Sequence, residues 1–331
     1  MAGTIILTGA NSSLGTPAVE HLIQNYGDYT AILTVRDASD ADVNTNRLRQ
    51  VISQYPRAKA YIYALDLSSL SATHAFTREI ASEITNGRYP RLSAIICNAY
   101  YWNLVGDPEL TADGFDKTMQ VNHISHASLV LQLLGSFGID GRIILLSSDS
   151  RWPGKNPMEK YPPSIPDDLS LLVRPDVDDD KQGRGYQRYA TSKLAIVTWM
   201  YALNRYLQKD PNLNKVTTVA INPGNMVDSR ALRSNTPISM HRMQTWVYKP
   251  LLPLLQLMTP TLRSAAPAGV DVIELAISPT YAGQQGFFTL LQKDESSPES
   301  NNEVKQESLW KQTLQWAQVT QENTALRTTF K

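Results

Sequence analysis

Short apolar runs of strand length alternate with helix-length segments over the first two-thirds of the chain, and this rhythm constrains the fold more than any other feature. Thr4 to Thr8, Ala31 to Val35, Lys59 to Leu65, Ser93 to Cys97, Arg142 to Leu146 and Val216 to Ile221 read as strands. Thr16 to Tyr26, Thr73 to Thr85 and Phe115 to Phe137 carry apolar residues at helical spacing. Strands buried on both faces and separated by helices predict an α/β fold, a doubly wound parallel sheet with helices on either side. No internal repeat is visible.

Two stretches interrupt the rhythm. Residues 151–185 are rich in proline and contain the acidic run Asp176 to Asp180, which reads as an inserted loop. Residues 228–262 carry Trp246, Tyr248 and many leucines, and read as a cover over a site. Residues 294–303 read as a polar linker to a last helix near Leu309 to Gln321. The division is therefore one domain over 1–293, followed by 294–331 as linker and C-terminal helix.

Several function classes are excluded early. The 31 basic and 31 acidic residues balance, and no dense basic cluster exists for phosphate neutralisation, so no nucleic-acid partner is expected. Cys97 is the single cysteine, which rules out an intrachain disulfide and a cysteine metal cage. His123 and His126 lie three apart without a third ligand, so no metal site is predicted. The N-terminus reads as a strand rather than a secretory leader, and a cytoplasmic location is expected. The greasy stretch Leu251 to Met258 is far short of the roughly 20 apolar residues of a membrane span. It can rest on a membrane surface or cover a pocket. A homo-oligomer is allowed, but no residue demands one.

The first strand runs into Thr8-Gly9-Ala10-Asn11-Ser12-Ser13-Leu14-Gly15 and then a helix. Glycines let such a turn bend sharply and approach a pyrophosphate seated on the helix N-terminus. The second strand ends at Val35, and Arg36 follows at once. An acidic residue there would suit a ribose hydroxyl, whereas a nearby arginine suits a 2′-phosphate, so NADP(H) is expected over NAD(H). Tyr189 and Lys193 stand four apart in a helical segment, on one face. A cation beside a phenol lowers a pKa that is otherwise too high for proton transfer at neutral pH. Tyr55 and Lys59 share that spacing, but Pro56 interrupts them, and Tyr186 has no lysine at the matching offset.

With these motifs the sequence resembles the short-chain dehydrogenase/reductase family over about residues 3–225, in the family's order. Asp66, before Leu67, matches the residue that contacts the adenine, and Asn98-Ala99 ends the fourth strand where the family has Asn-Ala-Gly. Asn122 lies in the following helix, and Ser148 closes the fifth strand. Tyr189 and Lys193 come next, then Pro223-Gly224. The resemblance implies a Rossmann fold and a nicotinamide cofactor held by Gly9, Asn11, Ser12, Ser13, Leu14, Gly15, Arg36, Asp66, Leu67, Asn98, Ala99, Tyr189, Lys193, Pro223, Gly224, Met226 and Ser229. It implies catalysis by Asn122, Ser148, Tyr189 and Lys193: Tyr189 as proton donor, Lys193 lowering its pKa and holding the nicotinamide ribose, Ser148 bonding the substrate oxygen, and Asn122 anchoring a water that leads to Lys193. Ser147 is the neighbouring alternative to Ser148.

The chain departs from the pattern in four places. Ser13 replaces a turn glycine, Tyr100 replaces the glycine after Asn98-Ala99, and Asp228 stands where threonine is common, with Ser229 able to take over its contact. Forty residues separate Ser148 from Tyr189, an excess that places an insertion beside the active site. Similar insertions occur in relatives resembling retinol dehydrogenases, light-dependent protochlorophyllide reductases and fungal ketoreductases. The expected substrate is the ketone or aldehyde of a bulky, apolar small molecule: a steroid, retinoid, terpenoid or polyketide. The Tyr161 to Leu169 insertion and the Asn222-Pro223-Gly224-Asn225 turn favour a fungal ketoreductase of secondary metabolism. The alternative is a scaffold repurposed for a non-redox cyclisation, epimerisation or dehydration; a non-catalytic dinucleotide sensor is the third reading.

Overall fold

The computed structural model describes residues 2–330. In chain order the strands are β1 (Thr4–Thr8), β2 (Thr30–Val35), β3 (Lys59–Ala64), β4 (Leu92–Cys97), β5 (Phe137–Leu146), β6 (Thr217–Asn222), β7 (Asn225–Met226), β8 (Leu262–Arg263), β9 (Gly286–Thr289) and β10 (Gln292–Asp294). The helices are α1 (Gly15–Asn25), α2 (Val43–Ser53), α3 (Leu70–Thr85), α4 (Lys117–Met119), α5 (Ser125–Leu133), α6 (Ser170–Val173), α7 (Lys181–Lys209), α8 (Ile238–Met243), α9 (Leu252–Met258), α10 (Ala265–Ile277) and α11 (Glu303–Trp316).

Seven parallel strands in the order 3-2-1-4-5-6-9 form the main sheet, and β10 adds an antiparallel edge to β9. The order reverses at β1 and β4, which opens a crevice beyond their carboxyl ends, where ligands bind in doubly wound sheets. Two apolar cores flank the sheet. One joins Ile6, Ile95, Ile143 and Leu145 to helices α3, α5, α7 and α11. The other joins Leu7, Leu33, Ile96 and Ile221 to α1 and α10. Neighbouring strand residues thus feed opposite faces, as near-continuous apolar strands require. This is the Rossmann-type architecture expected from the alternation.

Three local expectations are corrected. The helix expected from Phe115 to Phe137 is divided into α4, a π-turn at Gln120–Ile124, α5 and a 3₁₀ turn at Leu134–Ser136. The last five residues of the expected loop 151–185 already belong to α7, because Asp180 accepts a hydrogen bond from Gly183 N at 2.9 Å and caps it. Residues 294–303 are no free linker. Ser297 and Ser300 are fully buried, Tyr201 donates to Ser296 Oγ at 2.7 Å, and Glu299 accepts from Ile165 N at 2.8 Å. Their polar groups bond to one another and to the insertion, so a polar composition is compatible with burial.

Beyond them α11 lies on α7. Trp310 is fully buried between Trp199 and Tyr206, stacked at centroid distances of 5.8 and 4.6 Å. Arg151, also buried, donates to Glu295 O at 2.7 Å and lies over the Phe287 ring. The start of the insertion and the C-terminal region are therefore packed as one unit.

Candidate active site

The turn after β1 needs its glycines. Gly9 has φ +64°, and a Cβ on Gly15 would lie 2.5 Å from Gly9 O. Asn98 holds the turn from below: its Nδ2 donates to Thr8 O at 2.8 Å, Gly9 O at 3.0 Å and Ser12 Oγ at 3.2 Å. Ser12 Oγ also accepts from Gly15 N at 2.9 Å. Asn11 Nδ2 donates to Asp42 Oδ2 and Thr45 Oγ1, both at 2.9 Å, which ties the turn to the start of α2. No acidic residue stands in the first turn of α1, so its positive end is free to meet an anion.

Arg36 is exposed just past β2, and Asp66 is exposed past β3, where its Oδ1 accepts from Ser68 N at 2.9 Å. Leu67 is buried beside it, and Ala99 N donates to Thr8 Oγ1 at 3.0 Å. Gly224 follows Pro223 with φ +85° and donates to Asn222 Oδ1 at 3.1 Å, while Met226 packs against the α1 and α10 core. Asp228 faces away from the turn and accepts from Ala265 N at 2.8 Å, capping α10. Ser229 Oγ accepts from Ala231 N at 3.2 Å, which starts the next 3₁₀ turn.

Ser148, Tyr189 and Lys193 converge where β5 ends against α7. Lys193 is buried and its Nζ donates to Leu146 O at 2.8 Å, while lying 5.7 Å from the Tyr189 ring centroid. Ser147 Oγ donates to Lys193 O at 3.0 Å and is consumed in joining strand to helix. The Ser148 hydroxyl lowers the Tyr189 pKa and so lies on the Tyr189 side of the strand end, while it donates to Asp149 Oδ1 at 3.0 Å. Asn122, on the π-turn, accepts from Tyr101 N at 2.7 Å and donates to Ser192 Oγ at 2.9 Å, joining the end of β4 to α7. Such bulges are frequent at functional sites because they re-aim one side chain without ending the helix.

The electrostatics differ from the sequence expectation. Burial holds the Tyr189 phenol well above the usual phenol range, helped by Tyr100 and by the carboxylate of Asp149. Burial also pushes Lys193 down to about 7, so the ammonium that was expected to lower the phenol is itself destabilised.

Around Tyr189 the walls are aromatic and apolar. Trp102 meets its ring edge-on at 5.1 Å, with Tyr100 and Tyr186 each at 6.1 Å. Met240 from α8 and Leu232 close the same cluster, and Met158 enters it from the insertion. Tyr100, in place of the glycine, is thus a wall of the site.

Two charged residues were missed by sequence reasoning. Asp149 accepts from Asn156 Nδ2 at 3.0 Å and Asn225 Nδ2 at 3.2 Å beside Ser148; its adjacency to Ser148 was the available signal. Arg230 sits on the glycine turn, its backbone N donating to Ser13 Oγ at 3.0 Å and its guanidinium to Asn11 O at 2.5 Å. Nothing local in sequence links residues so far apart. Burial lowers its pKa, and the positive charges of Arg47 and Arg233 lower it further. The two histidines have separate roles: His123 bonds Thr313 Oγ1 and His126 bonds Thr8 Oγ1, each at 2.9 Å. Burial pushes both to about 3, and they are neutral at ordinary pH. Cys97 is a buried thiol whose pKa burial raises.

A family model described as short chain dehydrogenase matches residues 3–162, and one described as AcuH dehydrogenase domain matches residues 230–326. The short-chain dehydrogenase iccH of Talaromyces variabilis is 28% identical, with 98% of each chain covered. The dehydrogenase acuH of Aspergillus aculeatus is 46% identical over 92 residues, which are 28% of this chain and 94% of that relative. Among solved structures, the NADPH-bound carbonyl reductase from chicken fatty liver superposes with TM-score 0.58 at 16% identity, covering 89% of this chain and 99% of that one. The first family model, the full-length fungal relative and the constellation at the end of β5 agree: the chain belongs to the short-chain dehydrogenase/reductase family and is an oxidoreductase of that kind.

Proposed function

We propose that the chain is an NADPH-dependent reductase of a ketone or aldehyde carried on a largely apolar small molecule. The observation that carries this reading is the position of Tyr189, near Ser148 and Lys193 and packed against the apolar cluster of Trp102, Tyr186, Leu232 and Met240. NADPH when bound supplies the hydride. The residues fit such a cofactor: the turn of Gly9, Asn11, Ser12, Ser13, Leu14 and Gly15 offers backbone to a diphosphate at the start of α1. Asp66, Leu67, Asn98, Ala99, Pro223, Gly224, Met226 and Ser229 line the same crevice in this reading. Arg36 past β2 and Arg230 on the glycine turn, with Arg47 and Arg233 adding positive charge, favour a cofactor bearing an additional phosphate.

Tyr189 gives its proton to the carbonyl oxygen, and Ser148 donates a hydrogen bond to that oxygen as charge develops. Lys193 holds the cofactor ribose and reloads the phenol, while Asn122 keeps α7 in register with the end of β4. The non-redox alternative is not favoured, since all three departures that motivated it have structural places: Ser13 under Arg230, Tyr100 in the wall beside Tyr189 and Asp228 on α10.

The direct test follows loss of reduced-nicotinamide absorbance with a panel of apolar ketones, beside NADPH and NADH titrations. NADPH is expected to bind more tightly than NADH, and Arg230→Ala to weaken NADPH by about tenfold, the loss of one charge-assisted contact of ~1.5 kcal/mol. Equal affinities for both cofactors, unchanged in the variant, would remove the phosphate reading. Failure of both cofactors to bind would remove the reductase itself.

Asp149 allows a test of sign. Its negative charge raises the Tyr189 pKa, so Asp149→Asn stabilises the phenolate and lowers that pKa. The alkaline limb of the reduction profile, where the acid form of Tyr189 is lost, should move to lower pH. A limb that stays in place or moves upward would show that Tyr189 does not set it.

A further inference from the structure

The cover over the site has a second face. From residue 229 to residue 270 the chain has no aspartate or glutamate, yet it carries Arg230, Arg233, Arg242, Lys249 and Arg263, in a protein of net charge +0. Arg263 is paired with Asp271 at 2.7 Å and Arg230 lies on the glycine turn. Arg233 and Arg242 are exposed and Lys249 is half-exposed. Between Ile238 and Tyr248 Met240 and Gln244 are buried, whereas Met243, Trp246 and Val247 are exposed. α9 has no buried residue at all. Trp246, Leu257 and Met258 are 78%, 81% and 82% exposed, and Leu251 and Leu254 are exposed with them.

A contiguous apolar surface on a water-exposed segment marks an interaction site. Its charge selects the occupant. A second copy of the same face would bring like charges together, since an isologous contact sets each patch on itself and this one lacks acidic residues. Among the described residues no helix is long and apolar enough to cross a membrane. Tryptophan and leucine on the outer face beside lysine and arginine are the composition of a helix lying in a lipid interface. We propose that the outer face of residues 238–258 rests on an anionic phospholipid surface, Trp246, Leu254, Leu257 and Met258 entering the headgroup boundary and Arg242 and Lys249 meeting the phosphates. The inner face of the same segment packs through Met240 into the apolar cluster beside Tyr189, so an apolar molecule dissolved in lipid would meet the site with a short path through water.

The test is co-sedimentation of the full chain with vesicles of phosphatidylcholine alone or with roughly one-third phosphatidylserine. Binding is expected to the anionic vesicles and to weaken with salt. Arg242→Gln with Lys249→Gln should lower the partition coefficient by about 30-fold, at the usual contribution of each cation near such a surface. Leu257→Asp with Met258→Asp should lower it at least as far. Both pairs are on the exposed face, and an unchanged thermal midpoint verifies that the variants fold. Absence of binding to either vesicle, or equal binding by wild type and both variants, overturns the proposal. Concentration-dependent dimerisation abolished by Leu257→Asp, without vesicle binding, assigns the face to a second copy and overturns it as well. The experiment uses neither cofactor nor carbonyl, so its outcome is separate from that of the reductase reading.

Discussion

Tyr189→Phe should lower kcat for carbonyl reduction by about 10²–10⁴-fold, the range for losing a positioned general acid. NADPH affinity should stay within about threefold, because the turn residues and Arg230, proposed above to meet the phosphates, are untouched. The substitution removes one oxygen from a ring held by Trp102, Tyr100 and Tyr186, and the apolar contacts remain. Stability should therefore change little. Single-turnover reduction with saturating NADPH separates the step from product release. Full turnover in the variant would place the proton donor elsewhere and break the mechanism at its centre.

Trp310→Ala should cost about 3–5 kcal/mol of stability, as for other large buried aromatics. The indole is fully buried between Trp199 and Tyr206, and its Nε1 donates to Thr329 Oγ1 at 2.6 Å. The loss combines two stacked contacts, a cavity and an orphaned hydroxyl. At an unfolding entropy of ~2.1 cal/mol/K per residue, the thermal midpoint should fall by roughly 6 °C. A shift under about 1 °C would mean that α11 is a detachable tail with little share in the core. The comparison is informative because Trp310 and Tyr189 both bear on α7, yet only one variant should lose catalysis and only the other stability.

The sheet was legible because its strands are apolar and bounded by polar turns; β1 begins and ends as read, β2, β3 and β4 differ by a residue at one end, β6 by a residue at each end, and β5 begins five residues earlier, at Phe137. Tyr189, Lys193 and Ser148 were legible because the order of the motifs and the four-residue step from Tyr189 to Lys193 survive the insertion before Tyr189. Their ionisation was not, since the burial that pushes Lys193 to about 7 comes from packing across several elements. Ser148 was chosen over its neighbour Ser147 by the family pattern alone; the bond from Ser147 to Lys193 O is a physical difference between them that only the fold supplies. Arg230 escaped notice for a related reason: its partners at Asn11 and Ser13 are brought near by the fold and by no local pattern. The segment 294–303 misled because its polar residues look solvated in sequence, whereas in the structure Ser297 bonds Ser300, Ser300 O accepts from Gln306 and Glu299 accepts from Ile165 N.

The packing of α11 on α7 also has a consequence in time. Trp199 and the α7 leucines Leu203 and Leu207 belong to a core that α11 completes through Leu309, Trp310 and Leu314. Synthesis proceeds from the N-terminus, so α7 emerges from the ribosome about a hundred residues before the helix that covers it. Through that interval the nascent chain carries a bare apolar stripe on α7, beginning about three turns beyond Tyr189, the kind of surface that invites aggregation or chaperone capture. Chains interrupted before α11 are released with that stripe uncovered, and quality control can recognise them by it.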